Sequence, residues 1–254
     1  MIYFGESTHT GRRPHAAITY CGLSRSGAPG WRAPPPADGD PEEDGDVVIR
    51  PVTPEALVTR IVERILATEP EAWLRVAVDG APAAQPARWA DAVVDGVRIG
   101  GRPVLRVAAE DFLRPASLRL EYGRTNPDAY YEGWLDESGL RRTVLDPLDK
   151  DGTGIVVPSL WDAAADRATR VRPTPLPRGG VLILSGSLLL GSGLPFDLAV
   201  HLWMSQAALA RKTDPDLRWT LPAFQRYDRE VGPADFADVV ARVDHPDHPA
   251  IIDH

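Results

Sequence analysis

The chain has 254 residues, of which 43% are hydrophobic and 25% charged, a composition typical of a globular protein that buries a substantial core. Its formal net charge of −8 and pI of about 5.3 argue against sequence-independent binding to nucleic acid or to an anionic membrane. The single cysteine, Cys21, excludes an internal disulfide. No apolar run approaches the roughly 20 residues that a membrane span requires. We therefore expect a cytoplasmic protein without a nucleic-acid or membrane partner.

The first 46 residues are rich in proline, glycine and acidic residues. Pro34-Pro35-Pro36 leads into an acidic stretch from Asp38 to Asp46. Such a segment buries too little apolar surface to offset its ordering entropy. We expect residues 1–46 to form a disordered extension, residues 47–245 to form one α/β domain, and residues 246–254 to form an exposed tail.

The folded part opens with an amphipathic helix that runs to about Ala67. Thr53 is a good cap, Pro54 suits the first helical position, and Glu55 favours the positive helix start. A strand, a helix and a second strand follow, at residues 73–79, 88–97 and 103–109. This succession is a βαβ unit, which predicts a parallel sheet with a right-handed crossover.

The rest of the chain continues the alternation of strands and helices. Apolar runs predict further strands at residues 181–184, 196–202 and 238–243. Helices are predicted at residues 127–136, 139–148, 205–212 and 222–231. We expect the strands at 73–79, 103–109 and 181–184 to be neighbours in one parallel sheet.

The connection after the first parallel strand is the place to look for a ligand, because open parallel sheets bind ligands beyond the carboxyl ends of their strands. A phosphate-binding loop there has the pattern G-x-x-x-x-G-K-[ST]. The chain has Gly80 at the first position, but Gln85 replaces the second glycine, Pro86 the lysine and Ala87 the hydroxyl residue. The loop therefore lacks the phosphate cation and the Mg²⁺ ligand of that pattern, and an ordinary βα connection is the alternative interpretation.

Short stretches spread from Pro51 to Pro249 share an order and spacing with a known family. They are Val76-Ala-Val-Asp-Gly80, Gly101-Arg-Pro-Val104, Asp111-Phe-Leu-Arg-Pro115, Tyr122-Gly-Arg124, Asn126-Pro-Asp-Ala-Tyr-Tyr131, Leu145-Asp-Pro-Leu148 and Ala237-Asp-Val-Val240. Together they resemble the bacterial uridine kinase-like nucleoside kinases, relatives of phosphoribulokinase and pantothenate kinase. The resemblance implies a three-layer P-loop kinase-like α/β fold with a parallel central sheet, a small hairpin insertion and a helical lid.

The resemblance also implies catalytic roles at the end of the second strand. In the family, an aspartate there accepts the proton of the attacking sugar hydroxyl. Glu110 takes that position and Asp111 follows it, so either carboxylate is a candidate base. A helix cap or a surface pair is the alternative. The family's acidic metal-holding residue after the third strand is replaced by Ser185, so we expect no metal ligands here.

Substrate and phosphate contacts follow from the same resemblance. The residues that match the nucleoside pocket are Phe112, Arg114, Tyr130, Tyr131, Asp136 and Trp161. Aromatic rings would stack on a base and carboxylates would meet ribose hydroxyls, although core packing is the alternative for Phe112 and Tyr130. The family's histidine and arginine after the Trp161 hairpin are Ala163 and Ala164 here. Candidates for phosphate contact are Gly80, Gln85, Arg211, Lys212 and Arg218, with a solvated helix face as the alternative for the last three.

Three hypotheses about function remain. The first is a degenerate kinase that binds a nucleoside-like or phosphorylated small molecule, with weak or no ordinary ATP-dependent activity. The second is an active kinase that holds ATP through the lid arginines and a helix start. The third is a non-catalytic protein-interaction module. The loop sequence disfavours ATP and Mg²⁺ as cofactors, and the sequence leaves the oligomeric state open.

Overall fold

The computed structural model describes residues 48–253, so the predicted extension over residues 1–46 lies outside the described residues. The strands are β1 (Val48–Pro51), β2 (Leu74–Gly80), β3 (Val104–Ala108), β4 (Ile155–Val156), β5 (Trp161–Asp162), β6 (Arg167–Ala168), β7 (Thr174–Pro175), β8 (Val181–Gly186), β9 (Leu198–Trp203), β10 (Val239–Arg242) and β11 (Ala250–Asp253). The α-helices are α1 (Pro54–Leu66), α2 (Pro86–Ile99), α3 (Ala116–Arg119), α4 (Pro127–Gly133), α5 (Glu137–Leu140), α6 (Gln206–Lys212), α7 (Leu221–Glu230) and α8 (Pro233–Phe236).

The main sheet has seven strands in the order β1-β11-β10-β9-β2-β8-β3. The strands from β10 to β3 are parallel, whereas β11 pairs antiparallel with both β10 and β1. Since β8 lies between β2 and β3, the predicted neighbourhood of these three strands is confirmed. The predicted α/β fold class with a parallel central sheet is confirmed as well.

The alternation of side chains along β8 creates the three layers. Val181 and Ile183 join the cluster that α1 and α2 bury, which includes Ile61 and Val93. Leu182 and Leu184 join the cluster on the opposite face, with residues of α5 and the turn that follows it. All of β8 is buried, because helices or loops cover both faces of a central parallel strand.

Two predicted helices end differently from the pattern. The helix predicted over residues 127–136 ends at Gly133, because the Asp136 carboxylate instead accepts the Gly139 amide at 2.9 Å and caps α5. The helix predicted over residues 139–148 is divided into α5, a π-helical turn (Arg141–Leu145) and a 3₁₀ turn (Asp146–Leu148). Pro147 lies in that last turn and lacks the amide hydrogen that an α-helix would use.

The expectation of an exposed tail from residue 246 is wrong for Ala250–Asp253, which form β11. Val240 pairs with Ile252 on one side of β11, and Ile49 pairs with Ile252 on the other. The predicted strand at 238–243 is therefore followed by another, and the domain boundary at 245 is too early. A short apolar run gains its backbone partners only from distant strands, which explains why local pattern missed both β11 and β1.

Two small hairpins, β4–β7 and β5–β6, leave the main sheet between α5 and β8. Trp161 lies on β5 and pairs with Ala168 of β6. Among residues 48–253, every helix is too short or too polar to cross a membrane.

Candidate functional site

The loop between β2 and α2, residues 81–85, closes on itself. The amide of Ala84 donates to the Ala81 carbonyl at 2.8 Å, and the amide of Gln85 donates to the Pro82 carbonyl at 3.0 Å. Gln85 has a φ of 58°, in the left-handed region, and Pro86 begins α2. Proline carries no amide hydrogen, so Pro82 and Pro86 offer no donor either. Few backbone amides of this loop therefore remain to face a phosphate.

The same loop packs into the protein interior. Ala84 is 4% exposed and joins the core cluster of α1 and α2. At Gly80, an added Cβ would lie 2.9 Å from the Leu202 Cβ and 3.4 Å from the Ala84 Cβ. The predicted phosphate residues Gly80 and Gln85 thus lie at the two ends of the loop, and the space around Gly80 is already filled by protein.

Beneath the loop, Asp79 forms a buried hydrogen-bond network that the sequence analysis did not identify. Its carboxylate is 2.8 Å from the His201 Nδ1 and accepts from the Tyr227 hydroxyl at 3.1 Å and the Leu189 amide at 2.9 Å. The Tyr227 oxygen in turn accepts the Leu190 amide at 2.9 Å. Burial, reinforced by the Asp79 charge, raises the pKa of Tyr227, which keeps its phenol a donor. This network ties the end of β2 to β9 and α7.

On one side of the loop lies a cavity of about 260 Å³, here called the carboxylate cavity. Pro82 of the loop and Ser187, just after β8, border it. The rest of its wall combines aliphatic side chains with carboxylates and aromatic rings. The aliphatic residues are Ala109, Leu113, Leu135 and Leu188, and the others are Glu110, Glu132, Glu137, Tyr130, Tyr131 and Trp134. Of the predicted site residues, the structure brings Glu110, Tyr130 and Tyr131 together here. Glu132, Trp134 and Glu137 were not predicted.

Desolvation shapes the acid–base properties of the carboxylate cavity. Burial raises the pKa of Glu110, with Arg106 opposing the rise, and raises the pKa of Glu137 against the opposing effect of Arg114. Burial and the nearby Glu110 charge raise the pKa of Tyr130 to about 12. Of the two predicted bases, Glu110 is the one that lines this cavity.

Asp111, the other predicted base, does not line the carboxylate cavity. It lies beside Asp162 of the β5–β6 hairpin, and burial followed by that charge raises its pKa. Its backbone carbonyl accepts the Leu160 amide at 3.0 Å. The structure therefore separates the two predicted carboxylates into different surroundings.

The other predicted pocket residues lie outside the carboxylate cavity. Phe112 is fully buried in the core, as its alternative interpretation has it. Asp136 caps α5, and the indole nitrogen of Trp161 donates to Asp166 at 3.2 Å. Arg114 is exposed and acts on Glu137 from outside the cavity lining. None of these four residues lines the carboxylate cavity, although the Asp136 amide donates to the Phe112 carbonyl at 2.8 Å.

On the other side of the loop lies a second cavity of about 390 Å³, here called the lysine cavity. Gln85 and Lys212 line it, together with Trp89 and Thr213. Arg211 and Arg218, the other predicted phosphate residues, are exposed and do not line it. Pro82 borders both cavities, so the loop is the partition between them.

The end of β8 carries a hydroxyl, as the sequence predicts, and not a carboxylate. Ser185 is buried, and its hydroxyl accepts from the Arg106 guanidinium at 2.6 Å, while the Arg106 Nε lies 3.0 Å from Asp91. Within residues 48–253, no three His, Cys, Asp or Glu side chains are grouped to hold a metal ion.

The sequence matches no protein-family model and no curated protein. Solved structures do match the fold. A protein described as a possible uridine kinase from Bacillus stearothermophilus has a TM-score of 0.60 and 18% identity, over 73% of this chain and 97% of that one. The YGR205w protein has a TM-score of 0.51 and 12% identity, over 79% of this chain and 97% of that one.

The chain has a uridine kinase-like P-loop fold. At these identities the likeness concerns the fold alone. In a P-loop fold the phosphate loop joins a parallel strand to the helix that follows it. The uridine kinase-like fold therefore places residues 80–87 at the phosphate-loop position, with the carboxylate cavity and the lysine cavity on either side.

Proposed function

We propose that this protein binds a nucleoside-like small molecule in the carboxylate cavity and has weak or no ordinary ATP-dependent phosphotransfer activity. The observation that carries the proposal is the contrast between the carboxylate cavity and the loop beside it. The carboxylate cavity has a formed wall of rings and carboxylates. The loop beside it has neither the cation nor the hydroxyl residue of a phosphate loop, at Pro86 and Ala87.

The carboxylate cavity suits a small ligand with a flat ring and hydroxyl groups. Tyr130, Tyr131 and Trp134 offer aromatic surface, on which a base can stack. Glu110 lies in the 3₁₀ turn that directly follows β3, at the carboxyl edge of the sheet. A carboxylate in that place can accept the proton of a ligand hydroxyl.

The loop explains why activity should be weak. A charge-assisted hydrogen bond contributes about 1.5–3 kcal/mol, and one preorganised donor to a transition state contributes about 10²–10³ in rate. The sequence lacks the lysine and the hydroxyl residue, and the 3₁₀ turn uses the amides of Ala84 and Gln85 internally. Several such losses together should reduce turnover by many orders of magnitude.

The binding half of the proposal is tested by calorimetry with uridine and cytidine. Removing one ring by Tyr131→Ala should weaken binding about tenfold or more, because stacking on one aromatic side chain contributes about 1–3 kcal/mol. The matched control is Tyr122→Ala, since Tyr122 is 71% exposed and does not line the cavity. Equal effects of the two variants, with both folded, would place the ligand elsewhere.

The catalytic half is tested by phosphate transfer from Mg-ATP to uridine, cytidine and other hydroxyl compounds. The slowest typical kinases turn over at about 1 s⁻¹, and we expect the turnover of this protein to be far below that rate. Turnover in the kinase range would overturn this half, whatever the binding result.

A second candidate function, an active kinase with a non-standard phosphate loop, is favoured by the lysine cavity. At about 390 Å³ it is the larger of the two cavities, and it joins Lys212 to the start of α2. Lysine and a helix start both attract phosphate. If this candidate is right, Lys212→Ala will abolish ATP-dependent turnover, whereas Arg211→Ala, an exposed neighbour outside the lining, will not.

A further inference from the structure

We infer that the ligand of the carboxylate cavity carries a positive charge, so that the protein recognises a small amine with a ring-shaped body. The inference rests on the proposed function, because it names the chemical class of ligand for the same cavity. A phosphorylated ligand is correspondingly disfavoured there.

The charge that faces the cavity is of one sign. Glu110, Glu132 and Glu137 contribute carboxylates to its wall. Among the described residues, no lysine, arginine or histidine lines it. Buried or half-buried charges are poorly screened by salt. An anionic ligand would therefore meet repulsion at this wall, and a cation would meet attraction.

Two of these three carboxylates lack a charged partner. Glu132 already pairs with Arg226 at 2.7 Å. Within residues 48–253, neither Glu110 nor Glu137 forms an ion pair. Arg106 and Arg114 act on them only from outside the lining. A cationic ligand would supply the missing partner.

Two aromatic rings of the cavity wall already contact cationic side chains of the protein itself. The Arg226 guanidinium lies 4.5 Å from the centre of the Tyr131 ring, and that of Arg119 lies 5.1 Å from the Trp134 ring. Rings attract cations at such distances through their negative faces. Arg226 shows the complete arrangement in one place, since it contacts both the Tyr131 ring and the Glu132 carboxylate.

The test compares three ligands that share one body and differ in charge: 5′-amino-5′-deoxyuridine, uridine and uridine 5′-monophosphate. Calorimetry near pH 7 should show the amine binding at least tenfold more tightly than uridine, and the monophosphate more weakly than uridine. If uridine binds but the amine binds no better, the inference is overturned while the proposed function stands. Preference for the monophosphate would overturn the inference as well.

A second pair makes the test independent of nucleosides. Phenethylamine and 2-phenylethanol have the same ring and nearly the same length, and only the first is charged. If no nucleoside binds, the proposed function fails, and a preference for phenethylamine that maps to this cavity still supports the inference. Equal binding or no binding of both compounds would overturn it.

Charge-neutral variants locate the effect. Glu110→Gln and Glu137→Gln, singly and together, should reduce the preference for the amine, with the double variant losing most of it. Glu63→Gln is the matched control, because Glu63 is an exposed glutamate on α1 outside the cavity. Retention of the full preference by the folded double variant would show that these carboxylates do not recognise the cation.

Discussion

The phosphate-position loop and the carboxylate cavity lie side by side at one edge of the sheet and share Pro82, yet they differ in kind. The loop turns its polar backbone inward and buries Ala84. The cavity turns carboxylates and a phenol towards an open space. A strand end can therefore keep its shape through packing alone, whatever the neighbouring cavity binds.

Gly80 shows how packing alone can hold the strand end. A glycine at the start of such a loop is usually explained by the close approach of a phosphate. Here the close approach is made by Leu202 and Ala84, so the glycine is required whether or not a ligand binds. Its presence alone is therefore no sign of a nucleotide.

The largest effect is expected where the shared strand end is held, at Asp79. Asp79→Ala would leave the His201 ring, the Tyr227 hydroxyl and the Leu189 amide without their buried partner. Each such group costs about 1–3 kcal/mol, so we expect a loss of about 3 kcal/mol or more in the free energy of unfolding, measured by denaturant titration. Asp91→Ala is the control, since Asp91 is 69% exposed and its pair with Arg106 is worth about 1 kcal/mol at most. Similar losses in both variants would show that the Asp79 network does not stabilise the strand end.

A smaller loss is expected on the loop itself. Gly80→Ala would push a methyl group against Leu202, and overpacking of this kind costs about 1–3 kcal/mol. The control is Gly133→Ala at the end of α4, where an added Cβ meets nothing within 4 Å, so the change should be neutral or stabilising. Thermal unfolding of both variants checks the difference. If Gly80→Ala is as stable as the parent, packing does not explain the glycine.

A still smaller, pH-dependent effect is expected beside the lysine cavity, at Asp244. Burial alone would raise the pKa of Asp244, but hydrogen bonds from the Ser205 amide at 2.7 Å and from Arg242 at 2.7 Å outweigh burial and lower it. A lowered folded-state pKa stabilises the protein above the unfolded value, near 3.8, and this contribution is lost as the pH falls through the folded value. Asp244→Asn should therefore cost about 1 kcal/mol at neutral pH and progressively less in acid. The control is Asp247→Asn, on an aspartate that is 66% exposed, and it should change the free energy of unfolding by less than about 0.5 kcal/mol in the same denaturant titrations.

The smallest effect is expected from repairing the loop. The triple variant Gln85→Gly, Pro86→Lys and Ala87→Thr restores the phosphate pattern, yet we expect no measurable gain in phosphate transfer from Mg-ATP to uridine. The end of β8 still presents Ser185, held by Arg106, in place of a metal-binding carboxylate. Groups that act together in catalysis do not contribute additively. Turnover of about 1 s⁻¹ would show that the loop was the only part missing.

Local pattern was sufficient for most of the sheet, whereas the cavity residues were named only through the family resemblance. The apolar runs of β2, β3 and β8 predicted neighbouring parallel strands, and the resemblance led to Glu110, Tyr130 and Tyr131. Trp134 and Glu137 were missed because their position depends on a distant contact, in which the Asp136 amide donates to the Phe112 carbonyl at 2.8 Å.

The Asp79 network shows the same limit of sequence reasoning. Its members lie far apart in the chain, and only the sheet order brings His201 beside Asp79. The register of β2 and β9 pairs these two residues directly. An aspartate that ends an apolar strand is a weak local sign, and its partners could not be identified without the topology.

If the carboxylate cavity binds a nucleoside while the loop does not bind ATP, one calorimetric comparison will separate the two. Uridine and ATP are titrated into the protein near neutral pH, ATP with and without Mg²⁺. We expect tighter binding of the nucleoside than of Mg-ATP, and no strengthening of ATP binding by Mg²⁺. Mg²⁺-dependent binding of ATP with a Kd below about 10 µM, or roughly −7 kcal/mol, would contradict it, because the Gln85-Pro86-Ala87 loop would then hold a nucleotide after all.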